Sequence, residues 1–205
     1  MYSLDLEYFP SVNSIINLYK LGVVCFSSIE PYKKSTFRNK MQVASSTGTL
    51  TLSIPIKGGR SVNLPYGEVE IDNKTNWQDL HFKTIKTVYG SAPYYQFYAY
   101  VLSDLYTTPF NRLFDWNFKC LDTFLKLSKM TNMIQASICD TNEKIPESLF
   151  FLENVELNNG LELFPYPQVF SKKTGFKANM SCIDLLMNLG PDCGKYIVDL
   201  TNKLH

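Results

Sequence analysis

Hydrophobic and polar residues alternate with a period of two in the first third of the chain. Leu50, Leu52, Ile54 and Ile56 fall on one side, and Thr49, Thr51, Ser53 and Pro55 on the other. That alternation predicts a strand with one buried face. Ser45-Ser46-Thr47-Gly48 predicts a turn just before it, which makes Lys40 to Ala44 the other arm of a hairpin. Pro55 has no N–H to donate, so that end of the strand is an edge or a terminus. Ser3 to Tyr8 also alternates, until Pro10 breaks it. Ser11 or Asn13 can cap a helix running through Lys20, Gly22 ends it, and Val23 to Ile29 is β-branched and aromatic. Strand, helix and strand in so short a span predict an opening parallel βαβ unit. Glu68 to Asp72 reads as one more short strand.

The period changes near Asn76. Trp77, His81, Ile85 and Val88 share one helical stripe, with Asp79, Lys83 and Lys86 facing away. Asn76 with Asp79, or Thr75 with Gln78, forms a capping-box-like start. Gly90 to Pro93 interrupts, and a tyrosine-rich helix follows from about Tyr94 to Tyr106. Thr108 and Pro109 predict the start of a third helix, with Phe110, Leu113, Asn117, Leu121, Phe124 and Leu125 on its inner stripe. Met133 to Cys139 reads as a strand and residues 143–165 as loop. Ser181 and Asp184 are placed as a capping box opening a helix that closes at Gly190-Pro191, and a last helix runs from Asp192 towards Leu204. The expectation is an α/β fold: an opening βαβ unit, a mixed sheet extended by the hairpin, and a largely helical second half. It is read as one domain over 1–205, sheet-rich to residue 75 and helix-rich beyond.

Composition narrows the function classes. Apolar residues make up 45% and charged residues 19%, as in a protein with a real core, while the net charge of +1 argues against a dedicated nucleic-acid binder. The start of the chain carries Asp5 and Glu7 rather than a basic region before an apolar run, so it does not read as a signal peptide, and no apolar run is long enough to insert in a membrane. The five cysteines, at 25, 120, 139, 182 and 193, show no metal or disulfide framework and are expected as reduced thiols in a cytoplasm. With two histidines, one of them terminal, no metal site is expected. The phosphate-loop, dinucleotide and hydrolase-elbow motifs are absent, and no cofactor is implied.

The remaining candidates are few. Lys33, Lys34, Arg38 and Lys40 crowd four positive charges into eight residues at the mouth of the hairpin, and Lys57 emerges from its far end. This is either a solvated turn or an anion-binding cluster, with Arg38 and Asn39 its most directional members. His81 on the inward stripe is either a core imidazole held by a backbone carbonyl or a general base. Tyr94 or Tyr95 could lie beside a ligand.

The runs EYFPSVNSI, IEPYKKSTFRNKMQV, LTLSIPIK, NWQDLHFKTIKTVYGSAPYYQFY and PYPQVF…GFKANMSCIDLLMNLGP resemble the WbqC-like family of bacteria, in order and spacing from about Leu6 to Leu200. The resemblance carries over Glu30, Tyr32, Lys34, Arg38 and Asn39, then Pro55 with Lys57. It continues through Trp77 and His81 to Tyr89, Ser91, Pro93, Tyr94 and Tyr95, and ends with Gln168, Asn179, Ser181, Asp184 and Gly190. Two departures stand out. Longer relatives carry a histidine and glutamine where this chain has Leu6-Glu7 before Tyr8-Phe9-Pro10, and Ser35 replaces a glutamine. The resemblance implies a role beside surface-polysaccharide (O-antigen) synthesis, for which a glycine-transferase activity has been suggested.

Together these readings lead to an aminoacyl- or acyl-type transferase acting on a sugar. Arg38, Asn39, Lys34 and Lys57 would hold an anionic small-molecule donor, an activated amino acid or nucleotide-sugar, and His81 would be the base. Glu30, Tyr32, Trp77, Ser91, Tyr94, Tyr95 and Gln168 complete the substrate-binding set. The alternative is a non-catalytic sugar- or nucleotide-binding module using the same residues.

Overall fold

In the computed structural model, residues 2–3, 5–59, 63–139, 161–162 and 164–203 are described. Strand β1 (Tyr2–Ser3), helix α1 (Val12–Leu21) and strand β2 (Val23–Ser27) form the expected βαβ opening. The first strand is shorter than its alternation suggested, and the Tyr8 N–H is bonded instead to the Phe37 carbonyl. Ser11 caps α1, its hydroxyl accepting from the Ser14 N–H, and Gly22 ends it with φ at 68°. Strand β5 (Gln135–Cys139) joins on the other side of β2, so three parallel strands run in the order β1-β2-β5.

The hairpin forms where alternation placed it, as β3 (Lys40–Ser45) and β4 (Gly48–Ser53). It stands as a separate two-stranded sheet rather than an extension of the first. The outer edge of β3 is already taken: Gln42 accepts from the Ser181 N–H and donates its own N–H to the Ser181 hydroxyl. Glu68 to Asp72, read as a strand, is a turn of 3-10 helix (Tyr66–Glu68) followed by isolated bridges from Glu70 to Arg112 and Ile71 to Ile56.

The second half is helical: α2 (Trp77–Tyr89), α3 (Tyr95–Thr107), α4 (Leu113–Leu127), α5 (Ser171–Thr174), α6 (Cys182–Leu189) and α7 (Cys193–Lys203). Helix α4 starts later than the Thr108-Pro109 signal implied, with Arg112 at its cap position. Its inner stripe is buried as the periodicity required, and Trp116 is fully enclosed, meeting Trp77, Tyr106 and Phe110 edge-on. The loop expected over 143–165 lies outside the described residues except at 161, 162, 164 and 165.

The expectation of reduced thiols is corrected at one pair. Cys25 and Cys139 are disulfide-bonded, on adjacent parallel strands whose register leaves their Cα atoms 5.8 Å apart. Cys120, Cys182 and Cys193 are buried free thiols. Among the described residues no helix is long and apolar enough to cross a membrane.

Candidate functional site

The carboxyl ends of parallel strands are where α/β folds bind ligands, because loops diverge there and leave a crevice. Residues 5–10 leave β1 at that edge and lead into α1. Asp5, Glu7 and Pro10 of that segment line, with Ser14, Asn17, Leu18 and Phe26, a narrow crevice of about 30 Å³, room for a water or the reacting tip of a ligand rather than a whole sugar. Two carboxylates, Asp5 and Glu7, face it. The start of α1 holds Glu7 by one oxygen: Oε2 accepts from the Ser11 N–H at 3.1 Å and the Ser14 hydroxyl at 2.8 Å. Burial pushes the Glu7 carboxyl above its ordinary 4.5, the two hydrogen bonds pull it back, and the negative charge of Asp5 adds to the rise. A carboxyl so poised beside a second one in a crevice is the usual raw material of acid–base chemistry.

Arg38 reaches the same edge from inside. Its side chain is 1% exposed. Nη2 donates to Asp5 Oδ1 at 2.5 Å and to Glu30 Oε2 at 3.3 Å, and Nη1 donates to the Pro31 carbonyl. The guanidinium lies over the Tyr66 ring, which in turn packs on Tyr32. Two carboxylates therefore neutralise Arg38, and it has little charge left to offer an anion. Asn39 is likewise committed, donating from Nδ2 to the Ile54 carbonyl at 3.0 Å. Lys33 stands 3.8 Å from Asp5, and Lys34, next to it in the chain, is also exposed.

A model of the WbqC-like protein family matches residues 7–155, well over half of the chain. The chain belongs to the WbqC-like family. No curated protein and no solved structure matches it. The match starts at Glu7, on the crevice itself, and takes in Glu30 to Lys57 and Trp77 to Tyr95. Gln168, Asp184 and Gly190 of this WbqC-like chain lie beyond it.

His81 sits deeper. It is 3% exposed, with Trp77 edge-on against its ring. The Tyr8 hydroxyl meets Nδ1 at 3.0 Å and in turn contacts the Tyr106 hydroxyl, while the ring's N–H is spent on the Ser53 backbone carbonyl. Burial drives its pKa from 6.5 down to about 4, against the small opposing effect of that carbonyl. This is a neutral imidazole with both nitrogens engaged.

The other candidates scatter. Gln168 belongs to a buried cluster around Asp184, whose carboxylate accepts from Tyr89 and Tyr166 at 2.6 Å each and from Gln168 at 2.9 Å. The capping-box assignment for Asp184 and Ser181 is thus replaced: the Ser181 hydroxyl serves Gln42, and the Asp184 carboxylate serves two tyrosines and an amide. Burial raises the Asp184 carboxyl, and the three donors only partly offset that. Tyr94 packs on Gly190, Tyr95 is buried, and Ser91 is exposed. Lys57 is paired with Glu70 on the open surface at 2.8 Å.

The described structure therefore gathers Glu30, Tyr32 and Arg38 at one edge and seats Trp77 with His81 in the core. The two groups communicate through residues 5–8. Asp5 and Glu7 were missed as candidates. Their alternation placed both inside a first strand from Ser3 to Tyr8, and only the early end of β1 at Ser3 sets them at the strand's exit, where such a fold places ligands.

Proposed function

We propose that this WbqC-like chain is an aminoacyl- or acyl-type transferase acting on a sugar in bacterial surface-polysaccharide assembly, with Glu7 as its general base. The observation that carries the reading is the Glu7 carboxyl: its pKa is raised, it faces a crevice at the carboxyl edge of the parallel sheet, and α1 holds it by Oε2 alone. Its other oxygen has no partner among the described residues, which leaves it to accept a proton from an acceptor hydroxyl or amine. As that proton moves to Glu7, the acceptor oxygen or nitrogen bonds to the donor's acyl carbon. The bond to the leaving group then breaks, and the leaving group departs with the electron pair and recovers the proton. Arg38 orients Asp5 rather than binding the donor, and the exposed Lys33 and Lys34 suit the donor's anionic part. His81, neutral and enclosed, holds Tyr8 in place.

The test begins with mass spectrometry of any small molecule that co-purifies with the protein, followed by turnover assays with activated amino-acid and acyl donors. Glu7→Gln keeps the acceptor oxygen for Ser11 and Ser14. It is expected to fold and bind as before while turnover falls at least about 10²-fold, the scale of a lost base. Full turnover by Glu7→Gln would remove Glu7 from the chemistry. Ligand binding with no turnover in the unmodified protein would leave the binding-module reading standing.

A further inference from the structure

A second concavity lies away from the crevice and shares no lining residue with it. It is a groove of about 300 Å³ between the β3–β4 turn and the outward face of α2, lined by Ser45, Ser46, Thr47, Leu50, Lys83, Thr84, Thr87, Val88 and Phe170. That volume is at the lower end of what a small organic ligand needs.

Three of its five hydroxyls are oriented by hydrogen bonds to the backbone. Thr84 donates to the Leu80 carbonyl at 2.8 Å, Thr87 to the Lys83 carbonyl at 2.9 Å, and Ser45 to the Gly48 carbonyl at 2.8 Å. Thr84 and Thr87 have spent their only hydrogens on the backbone, so their oxygens act towards the groove as acceptors, while the Ser45 oxygen already accepts from the Thr47 N–H. The cation on the rim, Lys83, is held at 2.7 Å by Asp79. Beside these acceptors stand apolar walls, Leu50, Val88 and the ring of Phe170. A ligand matching this surface is uncharged, carries hydroxyl donors along one edge and presents a C–H face to an aromatic ring.

We propose that this groove is a docking site for a neutral glycan, separate from the crevice. Gln168 acquires a role here as a positioning residue. Its side chain clasps the Lys177 backbone on both sides and bonds Asp184, while its carbonyl accepts from Ser171. It thereby pins the loop that carries Phe170 over the groove.

The probe is an array of neutral and acidic oligosaccharides, with calorimetry on each glycan that binds. Neutral glycans are expected to bind. Thr84→Val combined with Thr87→Val keeps shape and removes two acceptors, and should weaken binding about tenfold or more with an unchanged melting temperature. Phe170→Ala should weaken it similarly, and the threonine pair decides the matter if that variant loses stability. Glu7→Gln should leave the affinity as it was. Binding of acidic glycans alone, no binding, or a neutral glycan whose affinity both groove variants leave intact would overturn the proposal. A loss confined to Glu7→Gln would move the glycan to the crevice.

Discussion

His81 shows how one residue's surroundings set its behaviour. In the unfolded chain it takes up a proton near pH 6.5, whereas in the fold it resists protonation down to about 4. Between those values the unfolded state binds more protons, so this residue makes stability fall as pH drops from 6.5 towards 4. The span corresponds to on the order of 3 kcal/mol. Glu7 and Asp184, both raised by burial, act in the opposite sense in parent and variant alike. Denaturant melts of the parent and His81→Gln at pH 7 and pH 4.5 should therefore show a flatter pH dependence in the variant; identical slopes would mean the ring is not buried neutral. The inward position of His81 was legible from its stripe with Trp77, Ile85 and Val88. Its partners were not, because Tyr8 lies 73 residues away and no local period reports such a meeting. Arg38 is a parallel case. Its charge suggested a free anion site, and only the fold reveals Asp5 and Glu30 against it. Arg38→Met would strand those carboxylates and is expected to cost roughly 3–5 kcal/mol in chemical denaturation.

At the scale of elements, periodicity was the steadier guide, while end signals held at Ser11, Gly22 and Gly190 and failed elsewhere. The alternation from Thr49 and the stripes of α2 and α4 were read correctly because burial of a face imposes them directly, although the strand stops at Ser53 rather than Ile56. Thr108-Pro109 mis-set the start of α4, and the Ser181 box was misassigned because that hydroxyl answers a strand edge 139 residues away. The close of α6 carries its own test. Gly190 has φ at 58°, and a Cβ there would lie 2.3 Å from the Tyr94 ring. Gly190→Ala adds the cost of a backbone region open essentially to glycine, about 1–3 kcal/mol, to overpacking of about 1–3 kcal/mol. It should lower the melting temperature sharply. Gly190→Ala with Tyr94→Ala should recover the packing part; no recovery would place the strain elsewhere.

Across the whole molecule, the disulfide links residues 114 apart and fastens β5 to β2. Thiol titration of the unfolded, unreduced protein should count three free cysteines, Cys120, Cys182 and Cys193, and five after reduction. A count of five without reductant would dissolve the pair. Cysteine spacing could not announce it, since the partners meet only once β5 has taken its place in the sheet. The α/β class and the helical second half were readable from local pattern. The crevice was not, because its walls come from the first strand's exit, α1 and β2 together.

The residues leaving β1 fix, in turn, the order in which the molecule can assemble. Asp5 waits for Arg38, the Leu6 carbonyl for Tyr66 and Asn117, and Tyr8 for His81 and Tyr106. Contacts so distant along the chain close late and slowly, after helices have formed on their own. A chain being synthesised can therefore seat residues 5–8 on Arg38, Tyr66, His81 and Tyr106 as each appears, but the Leu6 carbonyl gains its Asn117 partner only once α4 has been made. Stalled chains ending before Asn117 should leave that segment more open to protease than chains extended past α7.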